Sequence, residues 1–141
     1  IVVNGPGADF TVFENPIRLA GTDYYFTEPA VIEVSANGTD FVRFPFDFVP
    51  HYDAKGVLNL GNPLSYAKGF AGVRPVYSNE GTPDPTRPNL SGGDPFDLSD
   101  LPGAALSWIQ YVRITSTGDA WLSDMNGDLV RHSNDPPTFG A

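Results

Sequence analysis

Glycine and proline interrupt this chain so often that no long helix fits between them: 15 Gly and 14 Pro make 29 of the 141 residues. Proline removes a backbone donor and clashes with the preceding turn, and glycine carries a large entropic cost inside a helix. Such punctuation suits many short strands joined by tight turns, so an all-β fold is expected. The length is that of one domain, residues 1–141, and a chain of this size buries roughly 68–70% of its unfolded surface. A self-sufficient apolar core is therefore feasible, although the sequence holds no cysteine to staple it.

Charge removes whole classes of partner. Eight Lys and Arg stand against 17 Asp and Glu, for a net charge of −9. Phosphate binding takes clustered cations, and no two basic residues are adjacent here, which argues against nucleic acid. No run approaches about 18 consecutive apolar residues, so no transmembrane helix is expected. The acids are also skewed, with 13 Asp to 4 Glu. Most Asp sit beside Gly, Asn, Pro or Ser. Such residues either bond turn N–H groups two positions on, or supply oxygen ligands to Ca²⁺.

The pattern of β-branched and aromatic residues places a strand over residues 9–14, between Asn4-Gly5-Pro6-Gly7 and Asn15-Pro16. A second follows over 29–36, with Ala30, Ile32 and Val34 alternating against Val31, Glu33 and Ser35. Asn37-Gly38 signals a type I′ hairpin, which needs positive φ at both central residues. It leads into 41–48, where Pro45 marks an edge or a bulge. Residues 50–69 read as a long loop, 70–77 as a short strand and 78–93 as a surface excursion rich in proline. Asp97 is placed to cap a short helix over 97–102. The clearest late strand is 108–115, with Trp108, Gln110, Val112 and Ile114 expected on the core face. The tail from Asp119 is turn chemistry. Short strands and long loops in this proportion give an antiparallel β-sandwich, with a jelly roll as the expected topology.

The hairpin Val31-Ile32-Glu33-Val34-Ser35-Ala36-Asn37-Gly38-Thr39-Asp40-Phe41, followed much later by Trp108-Ile109-Gln110-Tyr111-Val112-Arg113-Ile114, resembles discoidin-like, galactose-binding-like jelly rolls. Gly5-Pro6-Gly7-Ala8-Asp9-Phe10 together with Gly92-Gly93-Asp94-Pro95-Phe96-Asp97-Leu98 narrows the likeness to bacterial cell-surface proteins carrying such a domain. The resemblance covers most of the chain. It implies an extracellular or cell-surface location and a sandwich fold more than it implies a ligand. In that group a further strand precedes the Gly-Pro-Gly-x-Asp motif and another follows the tail, so the unit is expected to lack its first and last strands. Either the chain is a piece of a longer polypeptide, or the sandwich is closed by strands from a neighbouring copy, which makes copies of the chain candidate partners, because an open sheet edge accepts an added strand.

Two acidic groups are candidate calcium sites. Asp124, Asn126 and Asp128 place oxygen side chains at alternate positions, as loops that wrap one ion do. The loop is not an EF-hand, because Leu129 stands where the sixth-position glycine belongs and Asp135 where a bidentate Glu is wanted. The second group is Asp94, Asp97 and Asp100, spaced by three, with Asp9 or Glu14 brought near by the fold. Discoidin-like folds commonly hold a structural Ca²⁺, so the resemblance favours that group as well. For each, an Asx-rich turn or a helix cap with solvated acids is the alternative.

Catalysis has little to stand on. Only two histidines and no cysteine are present, and no Gly-x-Ser-x-Gly occurs. Paired carboxylates can always be found among 17 acids, so they say nothing about glycoside hydrolysis. Aromatic side chains in or beside loops offer another route to function, since sugars stack on aromatic faces. Trp121 is the foremost candidate, with Tyr24, Tyr25, Tyr52 and Tyr77. The sequence thus points to a non-catalytic, calcium-stabilised binding or adhesion module that takes a glycan or cell-surface polymer. The alternative is a structural subunit of an extracellular filament or sheath, assembled by strand sharing.

Overall fold

The computed structural model of the chain describes residues 1–14, 16–22, 25–49, 64, 67–77, 88–103, 106–117 and 122–130. They form short strands in small antiparallel sheets, with a single helical turn, α1, at Pro88–Ser91 and a 3₁₀ turn at Leu98–Asp100. The class is all-β, as the glycine and proline spacing requires. Among the described residues no helix is long and apolar enough to cross a membrane.

Five of the six residues of β5 (Ala30–Ser35) are buried, and this strand organises the rest. It pairs with β6 (Val42–Arg43) through Glu33↔Arg43 and Val34↔Val42. Its other edge pairs with β11 (Tyr111–Ser116), in a register running from Tyr111↔Ser35 to Ser116↔Ala30. The remaining described sheets have two strands each. They join β1 (Val2–Val3) to β10 (Trp108–Ile109), β2 (Phe10–Val12) to β9 (Asp94–Phe96), β3 (Ile17–Arg18) to β4 (Tyr25–Phe26), and β7 (Asp47–Phe48) to β8 (Ala67–Lys68).

Alternation along β5 would suit a half-buried strand, yet both of its faces are covered. Ala30, Ile32 and Val34 enter a cluster with Phe44, Phe96, Leu98, Leu101 and Ile109. Val31 enters a second cluster with Phe46, Phe48, Phe70, Val73 and Val130. Each fully buried side chain of this size contributes about 1.5–3 kcal/mol. Phenylalanines fill the centres. Phe96 stacks on Phe10 at 5.4 Å and meets Phe44 edge-on at 5.0 Å, while Phe70 lies 5.0 Å from Phe46 and 6.4 Å from Phe48. Between the clusters, Pro45 separates β6 from β7, as its missing donor demands.

Several local expectations change. No described residue other than glycine has positive φ, so Asn37-Gly38 is not a type I′ turn, although Gly38 itself sits at φ 77°. Side chains build a longer loop instead: Ser35 Oγ accepts from the Asn37 and Gly38 N–H groups, and Asn37 Oδ1 accepts from those of Thr39 and Asp40. The segment 70–77 makes isolated bridges, Ala71 to Ala30 and Val76 to Gly92, rather than a strand, while Ala67–Lys68, expected within a loop, forms β8. The strand expected over 108–115 breaks at Gln110, where pairing passes from β1 to β5. Ile109 rather than Trp108 enters the core, at 1% against 40% exposure, and Val112 and Ile114 are 44% and 56% exposed. Strict alternation cannot survive a change of partner strand inside one apolar run.

Gly69 has φ 77°, and a Cβ there would collide with the carbonyl oxygen of Pro45. Gly7 has φ 82° with open space around it. Gly69→Ala is therefore expected to lower stability by about 3 kcal/mol, combining backbone strain with a fixed clash. Gly7→Ala should show the strain alone, about 1–2 kcal/mol. Urea denaturation of both variants checks this, and equal losses would mean that the Pro45 contact is not rigid.

Candidate functional site

Strands of two residues make few ladder bonds, and aspartate side chains supply the missing acceptors. Asp94, buried at the start of β9, accepts from the N–H groups of Val73 and Arg74, each at 3.0 Å. Asp9 accepts from Leu98 N at 2.8 Å and from Gly5 N at 2.7 Å, fastening the stretch before β2 to the 3₁₀ turn. Asp97 caps that turn through Ser99 N at 2.8 Å, the task its sequence context suggests. Asp124 takes three backbone donors: Asn126 N at 2.8 Å, Asp128 N at 2.9 Å and Phe48 N at 2.9 Å. The last bond ties a distant turn to β7, and Asn126 Nδ2 adds a bond to Asp47 Oδ1 at 2.9 Å.

The energetics of the two buried acids differ in sign. Burial pushes the pKa of Asp94 up to about 6, against the opposing pull of the Val73, Arg74 and Gly72 N–H groups and of the Arg74 charge. Asp124 is held below the usual carboxylate range, first by the N–H of Phe48 and further by those of Asp128 and Asn126.

A cavity of about 440 Å³ opens beside Asp94. Its walls come from Phe44 and Pro45, from Ala67 to Phe70, from Val73 and Arg74, from the whole of β9 and from Asp100 on the 3₁₀ turn. The floor is apolar, because Phe44, Phe70 and Phe96 belong to the two cores. Lys68, Arg74 and Asp100 are exposed at its margin, while Asp94 is only 4% exposed. Asp94 builds this wall directly, since its bonds to residues 73 and 74 hold the segment carrying Arg74 against β9. Volumes of roughly 300–1,000 Å³, mostly apolar with a few convergent polar groups, characterise small-molecule sites.

The acids named from sequence are thus distributed rather than gathered. Asp124, Asn126 and Asp128 share one turn, with the Asp124 oxygens turned onto backbone N–H groups. Asp94 and Asp100 line the cavity together; Asp9 and Asp97 hold the 3₁₀ turn; Glu14 lies against Gly72. Among the described residues no three carboxylate or imidazole groups stand close enough to hold a metal ion. Four of these carboxylates, on Asp9, Asp94, Asp97 and Asp124, accept backbone N–H groups. Of the aromatic candidates, Tyr77 is exposed beside Gly92 and Tyr25 is half-buried in β4, while Trp121, Tyr24 and Tyr52 lie outside the described residues. Neither Tyr25 nor Tyr77 lines the cavity. Sequence reasoning missed Lys68 and Arg74. Their signal was two cations bracketing Phe70 in a chain with only 8 basic residues.

Compared with known protein families, with curated proteins and with solved structures, the chain matches none.

Two outcomes are expected. Folded Asp94 binds its proton more tightly than unfolded Asp, which titrates near 3.8, so its contribution to stability is full below about 4 and is lost as pH rises through about 6. Asp124, shifted the other way, contributes above the ordinary carboxylate pKa and loses that contribution in acid. Urea midpoints measured between roughly pH 4 and 6.5 should therefore show a downward component that vanishes in Asp94→Asn, and a carboxyl resonance for Asp94 titrating below about 4 would refute it. For Asp124, Asp124→Ala should lower the melting temperature by several degrees while EGTA leaves the native protein unchanged. A fall in melting temperature with EGTA would instead support a bound calcium ion.

Proposed function

We propose that this chain is a non-catalytic binding or adhesion module, displayed outside the cell or on its surface, that takes a carbohydrate in the cavity beside β9. The cavity is the observation that carries the reading. Its apolar floor suits the C–H faces of a pyranose, and its charged margin offers partners for hydroxyl groups. The volume of about 440 Å³ suits one or two sugar rings rather than a long polymer lying in a groove. Asp94 and Asp100 would be the obvious pair for glycoside hydrolysis, but both Asp94 oxygens accept backbone N–H groups, which suits a positioning residue better than a proton donor. The supporting frame in this reading is a β-sandwich of jelly-roll type, to which the buried two-faced strand β5 lends support.

One observation favours the second reading, a subunit assembled by strand sharing. β11 pairs only with β5 among the described residues, runs six residues without proline or lysine, and exposes Val112 and Ile114. Edge strands left like this are templates for pairing. The two readings separate on a sizing column and a glycan array. A monomer that retains saccharides without hydrolysing them is the expected result. Large particles or fibres in negative stain with no saccharide retained would transfer the case to the second reading, and turnover lost in Asp94→Asn would replace both with an enzyme.

A further inference from the structure

The cations at the cavity have a property that sets them apart from the other described basic residues. Arg43 and Arg113 both pair with Glu33, at 3.3 and 3.5 Å, and Arg113 also lies 3.6 Å over the Phe41 ring. Arg18 donates to the carbonyl oxygen of Thr22. Lys68 and Arg74 alone among the described basic residues make no ion pair and no side-chain hydrogen bond with another described residue, and both line the same cavity. In a chain of net charge −9, surface cations have abundant carboxylates to neutralise them. Lys68 lies across the ladder from Asp47 and the Arg74 charge acts on the buried Asp94, but neither cation is held in an ion pair by a described residue, and both line one cavity, placed to meet an anion from outside.

We infer that the cavity beside β9 takes an anionic sugar, a pyranose bearing a carboxylate or a sulfate, with the charge held between Lys68 and Arg74 and the ring against the apolar part of the cavity wall. The inference rests on the carbohydrate reading above and narrows its ligand class. A guanidinium presents two parallel N–H donors that match a carboxylate or sulfate edge, and an ammonium adds a rotatable point charge. The exposed Asp100 carboxylate remains for ring hydroxyls, which donate to it. The net negative charge of the chain repels acidic polymers in general, so an anion gains only where local cations outweigh that field. This makes the preference a property of the site rather than of the protein at large.

The test uses the full chain and three probes: digalacturonate, its dimethyl ester with the same rings and no charge, and galactose 6-sulfate. Binding is measured by calorimetry at low and high ionic strength, and the site is located from amide shifts of Gly69, Phe70 and Arg74. Digalacturonate should bind at least about tenfold more tightly than its ester, the loss expected for charge-assisted hydrogen bonds. Raising the salt should narrow the gap. Lys68→Gln and Arg74→Gln, both at exposed positions, should keep the melting temperature and erase the preference. Tighter binding of the sulfated sugar than of the uronate identifies sulfate as the group held, with the same two cations required. Equal binding of acid and ester overturns the anionic preference while leaving the carbohydrate reading in place. Failure of every sugar to bind overturns both, and a preference that survives both substitutions moves the anion away from these residues.

Discussion

An antiparallel pair of two strands, each two or three residues long, closes so few ladder bonds that it cannot offset the entropy of ordering its own backbone, and four of the described sheets in this protein are of that kind. What joins them is a set of short carboxylates that accept N–H groups from segments far away in sequence. Asp124 reaches Phe48 across 76 positions, Asp9 reaches Leu98 across 89, and Asp94 reaches Val73 across 21. Aspartate suits this task better than glutamate. Its carboxylate lies one bond nearer the backbone, so fewer rotamers are lost when it is fixed, and two oxygens can serve two or three donors at once. The excess of 13 Asp over 4 Glu then has a physical cause in the architecture.

The same carboxylates set the geometry of the cavity. Asp94 links sheet to site: it begins β9, it is nearly free of solvent, and it holds the 73–74 backbone whose next outward feature is the Arg74 side chain. Gly69 and Gly72 let neighbouring backbone come close, to Pro45 and to Glu28 respectively. Phe70, between them in the chain, closes the floor by packing into the second core. The site is therefore continuous with the core on one side and with solvent on the other. Burial in that position explains how Asp94 titrates above an ordinary carboxylate while accepting backbone donors that pull it down.

Local chemistry was legible in the sequence wherever one residue decides the outcome. Glycine and proline spacing excludes long helices, Pro45 divides β6 from β7, and Asp97 caps the turn beginning at Leu98. The alternation of Ala30, Ile32 and Val34 marks the core face of β5. Reading failed where the answer depends on a partner far away. Trp108 to Thr115 is one apolar run, yet it serves two different strands, and nothing local tells that Gln110 is the break. Asn37-Gly38 has the composition of a tight hairpin, but the hydroxyl of Ser35 and the amide of Asn37 satisfy the backbone of a wider loop. The acids were recognised as turn chemistry, although whether a turn carboxylate meets an ion or an N–H from another strand is a tertiary fact. Lys68 and Arg74 escaped notice because each is isolated in sequence, and they converge only when the chain from β8 to Arg74 is folded against β9.

The edge of β11 that pairs with no other described strand and the cavity draw on separate residues, since none of β11 lines the cavity. Their energetics also differ. Val112 pairs with Val34 and Ile114 with Ile32, so the apolar face that builds the first core on β5 runs on to β11 and ends exposed. On the opposite face, Arg113 lies directly across from Glu33 and is held there, which keeps one charged group on an edge that otherwise carries none. A single arginine is weak protection for a six-residue edge, and the net charge of −9 adds a longer-ranged barrier between copies. That barrier is screened beyond about 8–10 Å at physiological salt, whereas strand pairing acts at contact. Strand addition at β11, if copies met there, would thus be opposed mainly at a distance. Because none of the residues of this edge line the cavity, a strand added there would leave the cavity lining unchanged, so the two proposed readings do not compete for the same residues.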